Sequence, residues 1–389
     1  MKRLVEKPVF NLLSDVTHYS SVAVDLALYT LASNDVEAAR EVLMIERTID
    51  DYLSEIIAGI SLAVRGPSQA GLAIGAVTLA EALDKISDAA ADLAGLTLRG
   101  LGIHKFVAAA SVCCDEIVAL VRVRRKPETI RSAVDVLLAR KGSEYILAPE
   151  LDKAVDSDVL VVRGPLEEVE ELARTLGDSI YPQLSKGTSA LVSAIAGDEL
   201  SSAILQLKSL ARLMLDLAFH SLLYSDKSTA REVLRLEDEA DELYIRGLSA
   251  AFAAGNPSAS DEMVSIAVFM KSMESLADAA TLIAGLVTND MVSELLIETV
   301  EEAEEAYVKL LVTEDLAGRS IGELRLEDKG ILPVAIRTGS TLILPVPRAY
   351  RLNAGDVIIV KYYQGSAVDV LKSLEERGFR VILPGSPEK

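Results

Sequence analysis

The sequence predicts an α+β protein: a helical bundle written as two repeats, each followed by a small α+β module. Three observations predict it. Half of the 389 residues are hydrophobic, yet aromatics make up only 4% and there is no Trp, a composition dominated by small and aliphatic side chains. That suits close-packed helices better than a β-sandwich. Glu46 and Asp50 return as Glu237 and Asp241, both 191 residues later, and Asp84 and Asp88 return as Glu274 and Asp278, both 190 later. A near-constant offset marks one unit written twice. After each helical half the apolar period shortens from helical spacing to runs rich in Val and Ile, punctuated by Gly and Pro, as strands require.

The first helix is expected over 10–33, where Leu12, Leu13, Val16, Val22, Leu26, Leu28 and Leu31 keep helical spacing and Asn34-Asp35 supply a stop and an N-cap. The second covers 36–64, until Arg65-Gly66-Pro67 breaks it, and the third opens at Ser68 or Gln69 and runs to the Arg99-Gly100 turn. A shorter fourth spans 103–115. The segments IVALVRV, VDVLLARKG, EYILAP and DVLVVRG then read as strands, closed by a helix over 166–176. A linking helix over 184–196 precedes the restart. The first helix returns over 199–223, with Ser225-Asp226 in the part of Asn34-Asp35. The next helix carries Glu237 and Asp241 to Gly255, the one after opens at Ser260-Asp261, and a relay helix is expected over 291–306. YVKLLV, LPVAIRTG, STLILPVP and DVIIVK form the second strand set, closed by a helix over 367–377. The domains are therefore 1–115, 116–182, 183–306 and 307–385.

A net charge of −20 repels phosphate backbones and anionic lipid, so nucleic acid is not an expected partner. The basic run Arg122 to Lys126 reads as a strand end. Cys113 and Cys114 stand alone and give no disulfide framework, which fits a cytoplasmic compartment. Glu6 and Pro8 interrupt the N-terminus before a signal-peptide core forms, and the apolar runs over 70–80 and 100–123 are too short or too interrupted to insert into a membrane. No nucleophile elbow, P-loop or dinucleotide fingerprint occurs, so no enzyme is expected. His18 and His220 are read as occupying comparable places in the two first helices, with a packing role.

Carboxylates at i and i+4 share a helix face, and two such pairs on neighbouring helices bring four acidic groups to one place. Oxygen donors of this kind suit Mg²⁺, Mn²⁺, Ca²⁺ or iron. A plain solvated face explains the same spacing.

IERTIDDYLSEI resembles the second-helix pattern of the PhoU family, and LDKISDAAADLAGL and MESLADAATLIAGL resemble its third-helix pattern. The resemblance implies two three-helix repeats in one bundle. It also implies a divalent metal (Mg, Mn or Fe) on Glu46, Asp50, Asp84, Asp88, Glu237, Asp241, Glu274 and Asp278. Ala follows Asp88 and Asp278, where the family pattern has His.

Residues 312–374 resemble the TrkA-C (RCK C-terminal) domain through Leu-x-Gly-x-Ser-Ile-Gly-Glu-Leu, the Ile336-Arg337 turn, Leu344-Pro345 and Ala354-Gly355-Asp356. The 116–182 module keeps only the later half of that pattern and looks like a degenerate copy. This resemblance implies a homodimer that binds a cyclic dinucleotide through Ile321, Gly322, Leu324, Arg325, Leu326, Ile331 and Pro333, with Arg325 on a phosphate oxygen. The alternative is that Ile321, Leu324 and Ile331 are simply core. Together the two resemblances imply a ligand- or metal-sensing regulatory subunit of a membrane cation transporter or channel, for potassium or magnesium, peripheral at the inner face of the membrane through that partner. The second reading is a PhoU-type adaptor in phosphate uptake signalling.

Overall fold

The computed structural model describes residues 8–64, 66–112, 117–122, 145–146, 159–164, 173–174, 199–254, 260–301, 305–326, 331–339, 341–343, 346–363 and 367–382. The expected strand at 134–142 and the linking helix at 184–196 lie outside them. Of the expected helix at 166–176, Ala173 and Arg174 are described, and both are helical.

Helices α1 (Val9–Ser33), α2 (Val36–Ala63) and α3 (Pro67–Leu98) form the first repeat, and α4 (Lys105–Val112) leads out of it. The second repeat is α5 (Glu199–Leu223), α6 (Lys227–Ala254) and α7 (Ser260–Thr288), followed by α8 (Glu294–Glu301). The duplication extends to the turns. Asn34 and Ser225 both adopt left-handed backbone, at φ 56° and 49°, and the Asp after each caps the next helix. Asp35 Oδ1 accepts from the amides of Glu37 and Ala38 at 3.0 and 3.1 Å; Asp226 Oδ1 accepts from those of Ser228 and Thr229 at 3.0 and 3.2 Å. These bonds satisfy amides that the first helical turn leaves unpaired. Gly100 and Asp290, again 190 apart, turn at φ 66° and 58° after α3 and α7.

Within each repeat the three helices pack on one another, and α3 meets α7 to join the halves. Both helices feed one close-packed apolar core, in which Leu79, Leu83, Leu93, Phe269, Met273 and Ile283 are fully buried. The relay helices cross over: α4 packs on both α1 and α5, and α8 on both α5 and α1. Cap register also corrects the histidine pairing. Counting back 191 residues from His220 reaches Tyr29, whereas His18 corresponds to Ser209.

Strands β1 (Ile117–Arg122), β2 (Tyr145–Ile146) and β3 (Val159–Gly164) form an antiparallel sheet in the order β1-β3-β2, with β1 against α1. The C-terminal sheet is five-stranded, built from β4 (Glu305–Leu311), β5 (Leu332–Thr338), β6 (Thr341–Ile343), β7 (Val357–Tyr363) and β8 (Arg380–Ile382), in the order β6-β5-β7-β4-β8. The short helix α9 (Ile321–Leu324) and the closing helix α10 (Ala367–Glu376) complete this unit. The relay helix is shorter than the sequence suggests. ETVEEAEEAY favours helix by composition, but the chain is strand from Glu305, where β4 pairs with β7 along its whole length. Ladder pairing outweighs local propensity there.

Both faces of the C-terminal sheet are covered. Val308, Leu310, Ile336, Ile358 and Val360 pack with Ile321, Leu326, Leu374 and Phe379 in the sheet's own core. The alternate residues Tyr307, Ala335 and Ile359 join the core of the bundle.

Close approach fixes where α8 begins. A Cβ at Gly75 in α3 would lie 2.7 Å from the carbonyl oxygen of Met291 and 3.2 Å from Leu296 Cδ1. Ala is ordinarily worth about 1 kcal/mol over Gly inside a helix. Here the contact is with backbone, and overpacking of that kind costs about 1–3 kcal/mol. Gly75→Ala should therefore destabilise the protein by about 1 kcal/mol net in urea denaturation, against the propensity trend.

Candidate functional site

The acidic pairs of the first repeat share one region between α2 and α3. Burial pushes the Glu46 carboxyl up from its ordinary value, and the charges of Asp50, Asp88 and Asp84 push it further, against a smaller opposing effect of Arg47. Asp84 is raised by burial, then by Asp88, Asp50 and Glu81. Asp88 is raised by burial, then by Asp50 and Asp92. Neighbouring carboxylates thus oppose one another's ionisation across the helix pair.

In the second repeat Glu237 is raised by burial and then by Asp278, Asp241 and Asp238, so the same region forms. Its charge is partly answered, however. Lys85, from α3, donates to Asp278 Oδ2 at 2.7 Å, and Lys271 pairs with Glu274 one turn away. Position 271 in the first repeat is Glu81. Among the described residues no three His, Cys, Asp or Glu side chains converge closely enough to hold a metal ion. With Asp278 and Glu274 engaged by lysines, the second set does not fit a cation site, and the first set is an acidic surface.

A raised carboxyl binds its proton more readily folded than unfolded, so its contribution to stability is present at low pH and is lost as pH rises through the folded-state value. Asp84→Asn and Asp88→Asn should each stabilise the protein at neutral pH by roughly 0.2–0.5 kcal/mol, the scale of a like-charge pair one turn apart. Thermal unfolding should show that gain fading as pH falls through the raised folded-state range toward the ordinary Asp value of 3.8, and absent below it.

In the C-terminal unit the proposed ligand residues occupy two environments. Ile321, Leu324, Leu326 and Ile331 are buried in the sheet's core, at 6% exposure or less. Gly322 and Pro333 are half-buried, and Arg325 is exposed. The Ser-Ile-Gly-Glu motif has a local physical cause. Ser320 Oγ accepts from the Glu323 amide at 3.3 Å while Glu323 Oε2 accepts from the Ser320 amide at 2.9 Å, a reciprocal capping box. Gly322 donates its amide to the Arg348 carbonyl at 2.8 Å, and a Cβ there would stand 3.3 Å from that oxygen. Arg325 takes left-handed backbone at φ 47° where α9 ends. The Ala-Gly-Asp turn is held by Asp356 Oδ2, which accepts from the Tyr350 hydroxyl and the Asn353 amide, both at 2.9 Å.

A second set of functional groups lies where the sheet meets the bundle. Lys309 on β4, Arg337 on β5 and Lys361 on β7 share the bundle-facing side with Tyr307, Ala335 and Ile359. Lys309 and Lys361 are only 4% and 8% exposed. Arg337 donates to Asp226 Oδ2 at 2.8 Å and to Thr229 Oγ1 at 2.7 Å, and Lys309 stands 3.5 Å from the same carboxylate oxygen. Lys361 donates to Asp216 Oδ1 at 3.1 Å, which also accepts from the Tyr307 hydroxyl at 2.8 Å. Lys309 lies over the Tyr224 ring at 4.6 Å, and Tyr224 donates to the Ile382 carbonyl at 3.0 Å. Burial alone would push Asp226 up; the charges of Arg337 and Lys309, with the Thr229 amide, more than reverse this and hold it well below the usual carboxylate range.

Sequence reasoning missed this seam. Its signal was a Lys inside each of two apolar strand runs, YVKLLV and VIIVKYY. A charge buried in a strand needs a partner from another element.

The two capping aspartates should respond unequally to truncation. Asp35→Ala loses a cap, worth about 1 kcal/mol. Asp226→Ala also removes the carboxylate that buried Lys309 and half-buried Arg337 face, raising the cost to about 3–5 kcal/mol. Urea denaturation of the two variants measures the difference.

A family model of the PhoU domain matches residues 204–287, and one of the TrkA-C domain matches residues 306–374. The first span lies within α5–α7; the second takes in β4, α9, β5–β7 and most of α10. The chain thus carries a PhoU domain and a TrkA-C domain. No curated protein matches. Among solved structures, the crystal structure of PhoU from Pseudomonas aeruginosa is similar at 16% identity and a TM-score of 0.40, over 72% of this chain and 93% of that chain, a likeness too loose to carry more.

Proposed function

We propose that this chain is a regulatory subunit of a membrane cation transporter or channel, for potassium or magnesium, without catalytic chemistry of its own. The single observation that carries this reading is the joining of a TrkA-C domain to a PhoU domain through buried ion pairs. Two units so joined transmit a preference: a ligand that binds one arrangement of the C-terminal unit more tightly shifts the bundle with it. In the proposal the unit works as a homodimer, a cyclic dinucleotide is its ligand, and exposed Arg325 meets a phosphate oxygen. Among the described residues no helix is long and apolar enough to cross a membrane, so a membrane role would run through a partner protein.

The acidic surface of α2 and α3 favours a second reading, an adaptor in phosphate uptake signalling that docks on basic loops of a membrane protein. That contact would weaken with salt, because exposed charge pairs are screened within about 10 Å at 0.1 M.

Co-purification of the tagged full chain from native membranes, with the partner identified by mass spectrometry, separates the two. A cation transporter is the expected partner; a phosphate transporter favours the adaptor, and loss of all membrane partners at low salt counts against both. Calorimetric titration with cyclic di-AMP tests the ligand. Binding should appear in the wild type and fall at least about tenfold in Arg325→Ala, the scale of one charge-assisted hydrogen-bonding group.

A further inference from the structure

His220 is fully buried, and neither ring nitrogen has a hydrogen-bond partner. Leaving such a group unsatisfied ordinarily costs about 1–3 kcal/mol. The ring, six residues before the Asp226 cap whose charge reaches it, stacks on Tyr224 at 4.8 Å. The first repeat shows what a side chain at this position can reach: Tyr29 donates its hydroxyl to the capping Asp35 at 3.3 Å. In the second repeat the corresponding carboxylate is already claimed, by Arg337 and Lys309 of the sheet.

Among the described residues, the first module lacks the counterpart of Lys309. Matching β3 to β7 through Arg163 and Lys361 aligns Val118 with Tyr307 and Leu120 with Lys309 in the two ladders. A histidine in the helix and a lysine in the strand therefore occur together, and only in the second half of this pair of halves.

We propose that the seam is a two-state latch in which the capping carboxylate of Asp226 is balanced either by Arg337 and Lys309, with the sheet docked, or by a protonated His220, with the sheet released. Acidification then favours release. The charged groups around the ring fit this exchange. Lys309 from β4 and Arg337 from β5 oppose a proton on His220, and Asp226 favours one. On the flanks, Lys361 of β7 holds Asp216, and Lys227 at the start of α6 holds Asp290 after α7 at 2.5 Å. Burial first, then Lys309, lowers His220 from its ordinary 6.5 to about 3 in the docked state. Once the sheet leaves, both cations leave with it and water enters, so the ring regains its affinity for a proton. A group that is protonated more readily in the released state pulls the equilibrium toward release as pH falls, between those two values. At about pH 5.5 the shift is roughly tenfold relative to about pH 7.5, since a released ring of ordinary pKa is then about nine-tenths protonated.

Hydrogen–deuterium exchange on the full chain tests it, reading β4 against α1–α3 and correcting for the intrinsic pH dependence of exchange. In the wild type, opening of β4 should be about tenfold more populated at about pH 5.5 than at about pH 7.5, with α1–α3 unchanged. His220→Tyr installs the residue that the first repeat carries at this position, and the pH difference should vanish in it. Equal protection of β4 at both pH values in the wild type overturns the proposal, as does an undiminished difference in His220→Tyr. If that variant fails to fold, the wild-type His220 ring resonance in an NMR titration decides. It should stay neutral until β4 opens; titration near pH 6.5 with β4 still protected refutes the latch.

Discussion

The carboxylate of Asp226 divides its two oxygens between two jobs, and the joining of the protein's parts depends on that division. One oxygen terminates the amides of α6; the other receives Arg337, Lys309 and the Thr229 hydroxyl. The start of a helix and the seating of a sheet are therefore set by the same atom group. Any shift of the sheet exposes two cations and unbalances a helix terminus at once, so displacement is discrete rather than gradual. A low-dielectric seam makes such pairs strong when complete and costly when broken.

The two repeats have kept their backbone and divided their charge differently. Turn residues, caps and core positions coincide at a fixed offset, down to left-handed Asn34 and Ser225. Yet the acidic surface of α2 and α3 is opposed at Glu46 only by the charge of Arg47, among the described residues, while the matching surface of α6 and α7 receives Lys85 and Lys271. In exchange, the second repeat concentrates buried ion pairs on its C-terminal sheet. One half leaves its charge on the surface, and the other uses charge internally.

Much of the helical layout was legible because its signals are local. Asn34-Asp35, Arg65-Gly66-Pro67 and Ser260-Asp261 mark helix ends by backbone chemistry that neighbours hardly alter. The limits were equally physical. A composition rich in Glu extended the relay helix across residues that β7 recruits as strand. Apolar positions such as Ile321 and Ile331 look alike in sequence whether they line a pocket or fill a core; only the packed sheet shows them in the core. The seam required knowing which strand faces the bundle, and pairing register, not composition, supplies that. Acidic pairs were read as one face on each repeat, while the neutralising lysine at position 85 comes from the opposite half.

The crossing of α4 and α8 has a consequence for how the halves are held. Each relay helix lies across the first helix of its own repeat and that of the other, and α3 and α7 close the space between. Among the described residues, the halves are thus buckled together by two symmetric straps. Displacing either strap would disturb both halves at once, because each one spans the first helices of the two repeats.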